Sequence, residues 1–222
     1  MKRKATSYQP ILLILALAAV TVATASPAAA DTQEIFNLAI ANPQLSSSPG
    51  PYATVTFTLN ASGGIDVVVQ GDKVGNNNFD YLFFGKGAFA FNAIAGLTIT
   101  SHTTGYTPTA SPHDDGFGTF TYGLDGPNPP NAQSTISFTI TRAVGFTSVS
   151  QLGLFSTISA NCPTHGCNMA AQIAPYAGAV NTGFAGNGGG PVPEPASLAL
   201  LGSGLMVVGG FSRRLMAKAK RS

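Results

Sequence analysis

The chain has two cysteines, Cys162 and Cys167, bracketing a four-residue loop, PTHG, that also carries His165. Thiols at that spacing have three uses. Oxidised to each other, they lock the ends of a small loop, worth about 2 kcal/mol on the chain-entropy estimate. As thiolates beside His165 they would offer three metal ligands within six residues, tighter than zinc sites usually run and without a fourth ligand nearby. Left reduced, they are free thiols. A Cys162–Cys167 disulfide is the expected state, because the signals at the two ends of the chain place it where the surroundings are oxidising and disulfides persist.

Other polar clusters suggest chemistry but lack its full set of parts. His113, Asp114 and Asp115 stand together in SPHDDGFG. A general base there would need a partner and a shaped pocket, and the flanking Pro and Gly predict a solvated turn instead. In GDKVGNNNFD, the oxygens of Asp72, Asn76, Asn78 and Asp80 suit calcium, yet the loop lacks the glycine and closing glutamate of an EF-hand. Gly85, Gly87 and Ala90 in GKGAFA imitate a dinucleotide fingerprint, but no helical pattern follows, so a tight turn is expected. There is no GxSxG elbow, and His102, His113 and His165 are the only histidines. The expectation is therefore no catalytic set, no metal site and no cofactor. What remains for an enzyme is a carboxyl pair drawn from Asp66, Asp80, Asp114, Asp115 and Asp125, which a glycosidase would need about 5 to 9.5 Å apart.

The elements that must carry these residues read as strands. In TVTFTLN, Val55, Phe57 and Leu59 point one way and the threonines the other. Ile65, Val67 and Val69 resume the alternation after ASGG, so Ala53 to Gly71 is expected to be a β-hairpin. The same period-two pattern marks Phe36, Leu38 and Ile40, then Leu97 and Ile99, then Phe120, Tyr122 and Leu124, and finally Ile136, Phe138 and Ile140. FDYLFF and SQLGLF are shorter strand candidates, and 168–174 is a possible helix. Glycine and proline clusters such as DGPNPPN punctuate the rest. The expected class is all-β, an antiparallel β-sandwich or jelly-roll-like domain, flanked by an N-terminal signal helix and a C-terminal hydrophobic helix.

Those flanks carry the clearest signals. MKRK is followed by the apolar run ILLILALAAVTVATA and by SPAAA, the pattern of a secretory signal peptide cleaved after Ala30, so that the mature chain begins at Asp31. Near the other end, Pro193, Glu194 and Pro195 precede fifteen uncharged residues, 197–211, and then Arg213, Arg214 and further cations. Fifteen residues make a helix of about 22 Å, short for a bilayer core of about 30 Å. Cations just past the run favour a cytoplasmic C-terminus and leave the intervening domain outside. The expected organisation is a signal peptide over 1–30, an extracellular β domain over 31–182, a Gly-rich linker over 183–191 and a sorting segment with its hydrophobic helix over 192–222.

Charge follows the same division. The chain has 11 Lys and Arg against 9 Asp and Glu, a net charge of +2. Residues 31–191 keep only Lys73, Lys86 and Arg142 against eight acids, a net charge of −5. Nucleic-acid binding, which needs clustered cations, has no basis in that segment.

The tail VPEPASLALLGSGLMVVGGFSRR resembles the PEP-CTERM sorting signal, in the order Pro-Glu-Pro, glycine-spiced hydrophobic helix, arginine-rich end. FDYLFFGKGAFAFNA, GFGTFTYG, STISFTITRA and NTGFAGNG are similar to segments of other PEP-CTERM protein bodies, a likeness that implies no activity. The resemblance implies export by a Gram-negative bacterium, signal peptidase and an exosortase as processing partners, passing or lasting membrane contact through the tail, and association with exopolysaccharide. A noncatalytic structural or adhesive role at the envelope or surface is the leading expectation. A secreted hydrolase acting on polysaccharide or ester substrates is the alternative.

Overall fold

A computed structural model describes residues 31–45, 47–76, 78–154, 167–176 and 182–188. The chain divides into two units, Met1–Ala30 and Asp31–Ser222, and the described residues all belong to the second. Its strands are β1 (Gln33–Ala41), β2 (Ala53–Leu59), β3 (Ile65–Gly71), β4 (Leu82–Phe83), β5 (Phe89–Phe91), β6 (Thr98–Thr100), β7 (Thr107–Ala110), β8 (His113–Asp114), β9 (Gly118–Thr119), β10 (Tyr122–Asp125), β11 (Thr135–Thr141), β12 (Met169–Ala174) and β13 (Gly183–Asn187).

The hairpin over 53–71 forms in the expected register, from Ala53 opposite Gly71 to Leu59 opposite Ile65. Asn60 builds its turn. The side-chain oxygen accepts from the backbone N–H groups of Ser62 and Gly64 at 3.0 and 2.9 Å, and Gly63 takes the positive φ of 76° that the turn requires. Alternation then sorts the faces. Val55, Phe57, Ile65, Val67 and Val69 are buried, as are Ile136, Phe138 and Ile140 on β11, while Val68 between two core valines faces solvent.

Eleven described strands form one antiparallel sheet, in the order β6-β11-β3-β2-β1-β13-β12-β5-β10-β7 with β4 beside β12, and β8 and β9 form a separate ribbon. A sandwich would have two sheets. Here the single sheet curls until its distant strands meet across the core, giving a nearly closed barrel-like wall. Phe91 on β5 lies 6.4 Å from Phe57 on β2 and 5.9 Å from Phe138 on β11, ring centre to ring centre. The sheet's two ends, β6 and β7, are consecutive in the chain, and the segment joining them is pinned at the seam. Thr103 N–H donates to the Ser137 carbonyl and Ser137 N–H to Thr103 Oγ1, both at 2.8 Å. Period-two patterns specify an inward face, but whether that face meets a second sheet or its own far end is decided by curvature.

Four local expectations give way to packing. Residues 169–174, MAAQIA, have helical propensity but form β12, whose alanines let β5 and β13 come close on either side. SQLGLF contributes a 3-10 turn, Val149–Leu152, ended by Gly153 at φ 64°, and FDYLFF yields only the two residues of β4. The expected linker is in part a central strand, because 183–187 form β13 between β1 and β12. Its glycines serve close approach: a Cβ on Gly186 would sit 2.6 Å from the Phe117 ring, and one on Gly183 2.5 Å from Asn42 Oδ1. The signal helix and the C-terminal hydrophobic helix lie outside the described residues, among which no helix is long and apolar enough to cross a membrane.

Phe91 joins the two sides of the core, touching the rings of Phe57, Phe89, Tyr122 and Phe138. Phe91→Ala is expected to destabilise the domain by about 3–5 kcal/mol, read from the shift of the urea midpoint. An unchanged midpoint would mean the two sides of the core do not meet there.

Candidate functional site

SPHDDGFG is an ordered ribbon in which strand alternation sends neighbouring side chains opposite ways. His113 and Asp115 are exposed, whereas Asp114 has no exposed surface. Phe117 N–H donates to the Asp114 carbonyl at 2.9 Å, Gly116 and Gly118 take positive φ, and Gln44 Nε2 donates to Asp115 Oδ2 at 3.3 Å. The solvated turn expected from the prolines and glycines holds for Asp115 but not for Asp114.

Asp114 reaches the GKGAFA turn. Gly85 and Gly87 have φ of 66° and 70°, as a tight turn requires, and Oδ1 of Asp114 lies so near Gly87 that a side chain there would overlap it. Gly87 N–H donates to Asp125 Oδ1 at 3.0 Å, and its carbonyl accepts from Gln172 N–H at 2.9 Å. The Gln172 amide, turned so that its nitrogen faces the loop, donates to the carbonyls of Phe84 and Lys86 at 3.2 and 2.8 Å. The turn is held from beneath, yet neither carboxyl oxygen of Asp114 has a hydrogen-bond partner. Burial, and then the negative charge of Asp125, push the Asp114 carboxyl up to about 8. At neutral pH it is chiefly an uncharged acid.

A second buried carboxyl belongs to Glu34, which shares the inward face of β1 with Phe36 and Leu38 and is 5% exposed. Its Oε2 has no partner. Burial first, then the hydrogen bond and charge of Asp31, raise Glu34 to about 7. Sequence reasoning passed over this residue, although its place two before Phe36 on an apolar stripe is the signal that finds it.

Of the five aspartates considered for catalysis, the fold brings Asp114 and Asp125 together. The others have local partners: Asp66 Oδ1 accepts from Asn60 Nδ2 at 3.0 Å and Thr139 Oγ1 at 2.8 Å, and Asp80 pairs with Lys73 at 2.7 Å. Asp72 accepts from Thr54 Oγ1 at 3.2 Å, so the acids of the GDKVGNNNFD loop are engaged. No three His, Cys, Asp or Glu side chains converge on a metal position among the described residues. Tyr52, Tyr81 and Tyr106 are buried, with hydroxyls donating to the carbonyls of Ser48, Pro49 and Phe83, and among the described tyrosines only Tyr176 offers half its surface. Cys167 is buried and disulfide-bonded. Cys162, His165, Ala30, Pro193, Glu194, Pro195, Arg213 and Arg214 lie outside the described residues.

A family model described as the PEP-CTERM protein-sorting motif matches residues 191–214, from the Pro-Glu-Pro triplet through the paired arginines. The chain therefore carries a PEP-CTERM motif, which implies exosortase-directed sorting to the envelope. No curated protein and no solved structure matches the chain.

Proposed function

We propose that this chain is exported, trimmed by signal peptidase and sorted by exosortase through its PEP-CTERM motif, and serves at the envelope or in the exopolysaccharide as a noncatalytic structural or adhesive domain. The motif at 191–214 is the observation that carries the reading. The state of the carboxyls supports the noncatalytic part. Hydrolysis needs acids that touch substrate and water, whereas Asp114 is enclosed and Asp66, Asp80 and Asp115 are occupied locally. A charge-poor surface rich in Thr, Ser and Asn suits packing among neutral polysaccharide chains.

Intact-mass measurement on protein from an exosortase-bearing host tests the sorting. The mature chain is expected to begin at Asp31 and end near Glu194, with a longer C-terminus when the exosortase gene is deleted. Full-length chain in the cytoplasm would overturn the reading. Polysaccharide turnover by the mature chain, lost in a variant of Asp114 or Asp125 that still folds, would return the hydrolase reading.

A further inference from the structure

We infer that the Asp31 α-amino group freed by cleavage after Ala30 seats as an ammonium against the buried Glu34 carboxylate, so that export processing completes the domain. The inference rests on the export reading above. Hydrolysis of the Ala30–Asp31 amide consumes one water, leaving Ala30 with a carboxylate and Asp31 with an ammonium. The chain thus gains a cation at the one end where its fold holds an unmatched acid.

Four observations converge on that place. The division between the chain's two units falls between Ala30 and Asp31. Residue 31 is already fastened to the domain, because Val149 N–H donates to the Asp31 carbonyl and Leu59 N–H to the Thr32 carbonyl, both at 2.8 Å. Asp31 stands three residues before Glu34, and its side chain is near enough to act on the Glu34 carboxyl and raise it. Glu34 itself is 5% exposed, with Oε2 unpartnered.

No other cation serves it among the described residues. Lys73 pairs with Asp80, Lys86 is exposed on its turn, and Arg142 donates to the Gly145 carbonyl and to Gln151 while lying over the Phe146 ring. Asp31 is the charged group acting on Glu34, and it is of the same sign. In the uncleaved chain burial first, and then the Asp31 carboxyl, disfavour the charged form of Glu34, and no cation offsets either among the described residues. Cleavage replaces the amide N–H at that spot with a charged donor carrying three hydrogens, enough to reach both acids.

The test compares the exported, processed chain with one carrying Ala-Ser inserted after Ala30, which moves the ammonium two residues outward, and with Glu34→Gln. N-terminal sequencing fixes where each mature chain begins. The α-amine is then titrated by isotope-edited NMR. Paired with Glu34, it is expected to titrate about one unit above its usual 7.7–8.0, and at the usual value in Glu34→Gln and in the extended chain. Melting at pH 7 is expected to fall by about 4 °C in the extended chain relative to the native start, with that gap absent in the Glu34→Gln background. A mature chain that begins elsewhere overturns the cleavage position and with it this inference. One that begins at Asp31 with an unshifted amine overturns the inference alone and leaves the export reading standing.

Discussion

Asp114→Asn is expected to stabilise the domain, by more as the pH rises. Asp114 holds its proton in the fold up to about pH 8, whereas in the unfolded chain it releases it near 3.8. Between those limits the folded state binds the extra proton, so the fold's advantage is complete below about pH 4 and drains away as the pH climbs toward 8. At pH 7 the accumulated cost is on the order of 4 kcal/mol at about 1.4 kcal/mol per unit. Asparagine keeps the shape and cannot ionise, so its stability should lack that slope. Glu34 titrates in the same direction over a narrower window, from 4.5 to about 7, and cancels between the two proteins because both contain it. The measurement is the urea midpoint of each at pH 5, 7 and 8.5, with exposed Asp115→Asn as the control. Parallel curves would mean that Asp114 is ionised in the fold and that some cation reaches it.

That carboxyl also marks where reading the sequence stops working. Pro112, Gly116 and Gly118 are turn formers, and local chemistry alone puts SPHDDGFG in water. What buries Asp114 is two residues of strand geometry at β8, together with a Gly87 backbone that leaves room for an oxygen and nothing larger. Long alternating strands were legible, because threonine and valine on opposite faces report the sheet directly, as in β2, β3 and β11. The central strands β12 and β13 were not. Both of their faces are covered, so alternation disappears, and their Ala and Gly content imitates a helix and a spacer. The sorting tail was legible for a different reason, since a processing enzyme reads it as a linear order of elements. The pairing of Asp114 with Asp125 beside the Gly87 turn depends on three-dimensional convergence that linear order does not report.

Gly71→Ala, at the end of β3, is expected to be among the most damaging single changes, although Gly71 needs no unusual backbone angle. An added Cβ would overlap the carbonyl oxygen of Tyr81, with that carbonyl's carbon 2.9 Å away and Ser134 O at 3.3 Å. Neither neighbour can retreat. Gly71 N–H is bonded to Ser134 O at 2.7 Å and Tyr81 N–H to Asp72 O at 3.0 Å, while the Tyr81 hydroxyl donates to Pro49 and its ring packs edge-on against Tyr52 at 5.3 Å. Relief requires breaking one of these bonds or parting backbone segments, so a loss above about 3 kcal/mol is expected. Gly96→Ala is the informative contrast. Gly96 has φ of 83° but no atom within 4 Å of its would-be Cβ, so alanine there meets only the left-handed backbone cost of about 1–2 kcal/mol. Urea midpoints of the two variants separate lack of space from backbone conformation. Equal, mild losses would show that the 81 segment does not press on β3, and the inward packing of Tyr81 would have to be redrawn.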